Sequence, residues 1–401
     1  MMIRLNPILS NNSPWISQQA YRLIGLLLLV IGCQFPAFSQ TFNGQEGKVT
    51  STGTWIPQAV DELPGLKMGP FLRLSDGSIL TVENTQSLIS HDEGKTWKAY
   101  EVFATPEKFQ ISNERVLLRT TSGVVILAFM NMKERANWNW QKEISDSPGA
   151  RLPTYVVRSL DEGKTWLEPQ KLHNEWTGAI RTIIETRSGN IIFTSMMMRH
   201  NPGHHTVLTY TSFNDGKDWV RSNIIDLGGI GHHSGVTEST IVQLKSGKIW
   251  QLIRTNWGSF WEAFSDDEGV TWHTIRSTSI DASSAPGLLK RLESGRIVLL
   301  WNRRFPLGKD YYPLRGGDRQ WSEVATSNHR EELSMAFTDD EGKTWSEPIV
   351  IAKSYKVQNE DTGKTWLSYP YAFEASPGVL WITTMQGGLR IKLKESDFVK
   401  K

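Results

Sequence analysis

Along much of this chain apolar and polar residues alternate, and each alternating run doubles back around a glycine. Six segments share the pattern: FLRLSDGSILTV around Gly77, VLLRTTSGVVILAF around Gly123, TIIETRSGNIIFTS around Gly189, TIVQLKSGKIWQLI around Gly247, LLKRLESGRIVLLW around Gly295 and YAFEASPGVLWITT around Gly378. A period of two gives a strand one buried face, and two such runs joined through a short glycine turn predict a β-hairpin. The fourth copy differs from the others at its ends. An acid, Glu238, stands at its start and a cation, Arg254, at its finish. The two ends of a hairpin lie at the same edge of a sheet, so both side chains can face one space.

A second repeat follows the first five hairpins, one copy each, with the pattern S/T-x-D-x-G-x-T-W. Its copies are Ser90 to Trp97, Ser159 to Trp166, the degenerate Ser212 to Trp219 with Asn214 in place of Asp, Ser265 to Trp272, and Thr338 to Trp345. The Asp side chain can accept backbone N–H groups within the turn. The Gly supplies a positive φ, and the Trp buries a large ring. The motif is therefore a fastener of turns and not a catalytic or metal-binding element. Asp361 to Trp366 resembles a further copy but follows no hairpin, so it is assigned to a loop. Six hairpins and five boxes predict an all-β fold, a six-bladed β-propeller of four-stranded antiparallel blades. A strand around Thr54-Trp55-Ile56 is expected to complete the last blade and remove free sheet edges.

The composition narrows the class. A formal charge of +2 without long basic runs argues against nucleic acid as a partner. A single cysteine, Cys33, rules out an intrachain disulfide framework. Arg4 and Arg22 precede an apolar run from Leu23 to Ile31, which suits a signal-peptide core better than a membrane span. Cleavage after Ala37-Phe38-Ser39 would make residues 1–39 a signal peptide and 40–401 one propeller domain. Val30-Ile31-Gly32-Cys33 also fits a lipoprotein box, which would leave a lipid anchor on Cys33, and an uncleaved anchor is the third alternative. Each route exports the protein, to the periplasm, the outer membrane or the medium. A monomer without cofactor or metal is expected.

If the hairpins line a central channel, residues equally distant from each turn glycine form rings. Nine or ten before it stand Lys67, Asn113/Glu114, Ala179/Ile180, Glu238, Ala285/Pro286 and Tyr369. Seven after it stand Asn84, Met130, Met196, Arg254, Asn302 and Met385. Polar members of such rings are not needed for packing, so Glu238 and Arg254 are read as ligand-contacting, with a structural ion pair as the alternative. His200, His204 and His205, and His232-His233, occupy two loops expected to open on the same mouth. Their readings are substrate hydrogen bonding or proton transfer, plain loop residues, or, with no HExxH-like pattern, a metal site. Trp138, Trp140, Trp176, Trp257, Trp261 and Trp321 lie outside the boxes and could stack on sugar faces or pack the blades.

These residues and boxes resemble the bacterial sialidase (neuraminidase) family, six-bladed propellers with repeated Asp boxes, over essentially the whole of residues 40–401. In that family a Glu begins and an Arg ends one inner hairpin, as Glu238 and Arg254 do. A further Arg precedes a later box by eight residues, matched by Arg330, and a nucleophilic Tyr opens the last hairpin, matched by Tyr369. The resemblance implies an exported retaining exo-glycosidase acting on sialic acid or a related acidic sugar. Tyr369 would be the nucleophile, Glu238 its base, and Arg254, Arg330 and Lys67, with His233, the substrate-binding set. A tyrosine nucleophile departs from the usual pair of carboxylates in glycoside hydrolysis. Two departures from the family stand out. Lys67 replaces an Arg, keeping the charge and losing the bidentate fork. The family's acid/base Asp is missing from the connection Glu83 to Ile89, which leaves Glu83, Glu114 or a histidine to donate the proton. Two other classes stay open: a lyase or hydrolase acting on uronic-acid polysaccharide, and a glycan-binding propeller without catalysis.

Overall fold

The structure, a computed structural model, describes residues 40–42, 44–354 and 366–399. The expected leader with Cys33, and all of the Asp361–Trp366 motif except Trp366, lie outside the described residues. The described chain is almost entirely antiparallel strand. The alternating runs form hairpins as expected, because each apolar set finds a neighbouring sheet to pack on. The first blade holds Leu72–Arg73, Ile79–Glu83, Gln86–Ser90 and Lys98–Glu101. The second holds Ile111–Arg119, Val125–Asn131, Thr154–Ser159 and Gln170–His173, and the third Ile183–Glu185, Ile191–Arg199, His204–Ser212 and Val220–Arg221. The fourth holds Thr237–Gln243, Ile249–Arg254, Ser259–Ser265 and His273–Asp281. The closing blade joins Pro370–Ser376, Val379–Thr384 and Arg390–Lys394 to Asp61–Glu62.

Two expectations need correction. The four-stranded blades number five among the described residues, not six. The hairpin around Gly295 instead belongs to a seven-stranded sheet, in which Leu288–Arg291, Ile297–Trp301, Glu332–Thr338 and Ile349–Ser354 continue into Thr54–Pro57, Gln45–Val49 and Gln40–Phe42. The strand at Thr54 to Ile56 therefore does not complete the last blade. It pairs with the outer strand of the larger sheet, Trp55 opposite Lys353. Burial explains the choice: Ile56 is fully enclosed in an apolar cluster with Leu333, Ile351 and Leu380. The closing blade takes Asp61–Glu62, whose Glu62 lies opposite Ile391. The closure by an early strand holds, with a different strand.

The core lies between sheets. Val82 and Leu80 of the first blade pack with Leu127 and Phe129 of the second, and Ile126 and Ala128 of the second pack with Phe193 and Leu208 of the third. The ring shuts where Phe71 and Ile79 meet Phe373 and Trp381. Each such side chain contributes about 1.5–3 kcal/mol when fully buried.

The boxes fasten neighbouring blades as well as their own turns. In the first, Asp92 Oδ1 accepts from Thr96 N at 2.8 Å, Gly94 N donates to Ser90 Oγ at 2.8 Å, and Trp97 Nε1 donates to the Gly94 carbonyl at 3.1 Å. The next box sits on the preceding hairpin: Ser87 Oγ donates to the Gly163 carbonyl at 2.6 Å, and a Cβ on Gly163 would fall 2.2 Å from Leu80 Cδ1.

Candidate active site

Glu238 is the extra residue of a β-bulge at the start of the fourth inner strand, between Thr237 opposite Arg254 and Ser239 opposite Ile253. A bulge re-aims a side chain, and here it turns Glu238 into the ring. Its φ is 27°, and Tyr369, immediately before the closing hairpin, has φ 60°. Non-glycine residues in this left-handed region cost of order 1–3 kcal/mol each and persist where their surroundings hold them. Glu238 N donates to Met196 Sδ at 3.2 Å, and Met385 N donates to the Tyr369 carbonyl at 3.1 Å. Met196 and Met385 both belong to the ring seven residues beyond the turn glycines, so that ring supports the site.

Tyr369, Glu238, Arg254 and Arg330, placed together on the sequence, meet in space and are all buried. The Tyr369 hydroxyl donates to Glu238 Oε1 at 2.8 Å. Arg254 Nη1 donates to Glu238 Oε2 and also reaches the Tyr369 hydroxyl at 3.4 Å. Arg254 Nη2 donates to Ser284 Oγ at 2.7 Å, while Arg330 Nη2 donates to the carbonyl of the same serine at 2.5 Å. One residue thus sets the two guanidinium groups side by side. Gln386 and Asn328 hold Arg330 at 2.9 and 3.0 Å, and its guanidinium carbon stands 5.5 Å from the Tyr369 ring centre.

Lys67 is not part of this cluster. Its ammonium pairs with Glu83 at 2.8 Å, and its side chain is 38% exposed. His233 borders the cluster: its ring stacks on Trp321 at 4.9 Å, and its carbonyl accepts from Asn256, which accepts in turn from Ser284 Oγ. The other loop histidines are held by protein partners. His200 meets Asp146 and His204 meets Asp226, at 2.8 and 2.9 Å, and His205 Nε2 donates to the His232 carbonyl. Among the described residues no group of three or more His, Cys, Asp or Glu is placed to hold a metal.

Arg181 was missed on the sequence. It is fully buried, and its guanidinium lies 5.3 Å from the Tyr369 ring centre and 5.1 Å from that of Tyr371. Nη2 donates to the Pro370 carbonyl at 2.8 Å, whereas Nε and Nη1 have no partner. Arg181 stands eight residues before Gly189, one beyond the ring that was read, which is the signal that could have found it. Arg181 lines a cavity of about 380 Å³ together with Ile183, Ile241, Leu289 and Tyr371; Tyr369 is not among its lining residues.

The charges favour a defined resting state. Burial raises the Glu238 carboxyl, but Arg254, the Tyr369 hydroxyl and Arg330 outweigh it and hold the group below the ordinary glutamate value. Burial, followed by the charge of Glu238, pushes Tyr369 up to about 12, against the pull of Arg254 and Arg330. At neutral pH the site therefore holds a carboxylate hydrogen-bonded to a protonated phenol. Burial and then Arg254 press His233 well below its ordinary value, so it is a neutral imidazole there. The arrangement can pass a phenolic proton to Glu238 while two arginines face a bound anion.

Known proteins bear on the fold. A sialidase from Clostridium perfringens is 23% identical over 230 residues, covering 50% of this chain and 58% of that protein, so the match spans less than two thirds of the relative. A protein of unknown function from Dyadobacter fermentans superposes with a TM-score of 0.55 at 16% identity, covering 84% of this chain and 98% of that one. The NanB sialidase from Streptococcus pneumoniae gives 0.53 at 12% identity over 85% and 71%. An α-L-arabinanase from Penicillium chrysogenum, solved with arabinobiose, gives 0.51 at 13% identity over 88% and 99%. These structures share the β-propeller fold with this chain. The model of the BNR repeat-like domain matches residues 82–382, and the chain belongs to that family.

Proposed function

We propose that this protein is an exported retaining exo-glycosidase of sialidase type, which removes terminal sialic acid or a related acidic sugar from glycans. The observation that carries the proposal is the buried contact of Tyr369 with Glu238, flanked by Arg254 and Arg330. Two adjacent guanidinium groups suit a substrate carboxylate, which they can grip with parallel hydrogen bonds. A phenol held near 12 is a poor nucleophile at rest, so its attack needs a base within hydrogen-bond reach, and Glu238 is that base. The substrate also sharpens the base. A carboxylate that draws Arg254 away weakens the interaction holding Glu238 acidic, and so raises its affinity for the phenolic proton as the sugar arrives. A neutral attacking group further avoids repulsion by the sugar's own charge.

The likeness to sialidases supports this reading at the level of fold. The seven-stranded sheet supplies the sixth blade in the same reading, with its three N-terminal strands as an addition, and export follows from the leader, with or without a lipid on Cys33. The test is release of an aryl alcohol from an aryl α-sialoside by the mature protein. Wild-type protein is expected to turn the substrate over and Tyr369→Phe to lose at least about 10²-fold in kcat. Turnover that survives the substitution would remove Tyr369 as nucleophile, and no wild-type turnover would remove the sialoside reading.

A further inference from the structure

Resting on that reading, we propose that Glu114 delivers the proton to the leaving oxygen, the role for which the resemblance implies an Asp missing from the connection Glu83 to Ile89. Glu114 stands nine residues before Gly123, as Glu238 stands before Gly247 and Tyr369 before Gly378. The three therefore stand at the same distance from their turn glycines, although the strand of Glu114 begins three residues earlier, at Ile111. Glu114 also lies in an irregularity of its strand: Arg115 is opposite Phe129 and Ile111 opposite Asn131, so Ser112, Asn113 and Glu114 together oppose Met130 alone.

The strand that follows the nucleophile fixes this bulge. Tyr371, two residues beyond Tyr369, donates its hydroxyl to the Asn113 carbonyl at 2.7 Å and accepts from Arg115 N at 3.3 Å. The backbone on both sides of Glu114 is thus tied to the hairpin that carries Tyr369. Arg181 packs on the rings of both tyrosines and binds the carbonyl between them. Glu114 itself is half-buried. The other donors considered are less suited: Glu83 holds Lys67, and burial, with Arg254 adding to it, keeps His205 and His233 neutral.

The groups facing Glu114 also suit the task. Burial pushes its carboxyl up to about 7, with Arg181 on the third blade and Arg115 on its own strand pulling down and Glu238 on the fourth pushing up. A group near 7 can both give and take a proton at neutral pH. In the first step Tyr369 Oη bonds to the anomeric carbon and loses its proton to Glu238, the glycosidic C–O bond breaks, and Glu114 protonates the departing oxygen. In the second, water bonds to the anomeric carbon and gives a proton to Glu114, while Tyr369 leaves and recovers its proton from Glu238. Both carboxyl groups return to their starting states.

The test compares Glu114→Gln with wild type on two sialosides, an aryl α-sialoside whose phenolate leaves unaided and sialyllactose whose sugar alkoxide does not. Expected is a loss of about 10²–10³-fold in kcat/KM on sialyllactose against less than about 10-fold on the aryl sialoside. The alkaline limb of the wild-type sialyllactose profile near pH 7 should disappear in the variant, and azide should accelerate the variant on the aryl substrate by replacing water in the second step. Retained aryl turnover shows that the variant is folded, and Glu114→Asp should recover part of the sialyllactose rate. Equal losses on both substrates, or an unchanged pH limb, would overturn the role of Glu114 while leaving Tyr369 and Glu238 in place. Failure of wild-type protein on both sialosides would sink the underlying reading, and this inference with it.

Discussion

Replacing Arg254 by Met removes the cation that answers a buried carboxylate, and the structure gives the size of the effect. Glu238 is 8% exposed and has two partners, Arg254 on Oε2 and the Tyr369 hydroxyl on Oε1. Without Arg254 the carboxylate keeps one donor, and breaking a buried pair by removing one member costs about 3–5 kcal/mol. Glu238→Gln alone is also destabilising, because it leaves the Arg254 charge enclosed with Ser284 and Tyr369 as its neutral partners. The double variant buries neither charge unpaired and should recover a large part of both losses, giving a coupling energy near the top of the ~0.5–3 kcal/mol range for contacting residues. Urea denaturation of wild type, both single variants and the double variant at pH 7 measures it. The sign of its pH dependence follows from Glu238. Its folded-state value is depressed, so the stabilisation is complete above the ordinary glutamate value, about 4.3, and fades as pH falls through the lower folded value. Losses that add within about 0.5 kcal/mol, or a coupling that grows in acid, would refute the pairing.

Two further outcomes test the scaffold. Asp92 and Asp340 are lowered to about 2, chiefly by hydrogen bonds from Thr96 and Thr344. Their contribution is present above about pH 4 and lost as pH falls toward 2, so Asp92→Asn should flatten the acid limb of stability in denaturation measured at pH 5, 3 and 2. Asn214, whose Oδ1 accepts from Asp218 N at 2.9 Å, shows that asparagine can keep the turn. Gly163→Ala and Gly77→Ala both place a Cβ at a left-handed φ, 81° and 84°, which costs about 1–2 kcal/mol. Only the first also drives into Leu80, and nothing lies within 4 Å of the second, so denaturation midpoints should fall further for Gly163→Ala.

The parts of this molecule legible on the sequence are those that local chemistry dictates. Alternation and turn glycines marked the hairpins because side-chain direction in a strand has a period of two. Asp92, Gly94 and Trp97 marked the first box because its hydrogen bonds are internal to the turn. The larger sheet was hidden because Gln45–Val49 shows no clean alternation of burial, its middle residue alone being buried, and it is held by backbone pairing to Thr54–Pro57. Asp61–Glu62 was hidden for a similar reason: two acidic residues carry no apolar signal, and only the open edge of Arg390–Lys394 makes them a strand. In the site, Glu238, Arg254 and Tyr369 could be placed because each has a fixed offset from its turn glycine. Lys67 and Glu83 are sixteen apart at the ends of one hairpin, as Glu238 and Arg254 are, so the same offsets could have paired them. The offset of Arg181 from Gly189 marks its level in the ring, but its approach to Tyr369 joins strands far apart in sequence.

The central claim is that Tyr369 becomes covalently bound to the sugar. An activated fluorinated sialosyl donor, whose fluorine slows both steps while its good leaving group keeps the first fast, should accumulate the intermediate on wild-type protein. Peptide mass spectrometry after rapid acid quench is expected to find the glycosyl adduct on Tyr369, and none in Tyr369→Phe. An adduct on Glu238, or turnover of the donor with Tyr369 never labelled, would contradict it.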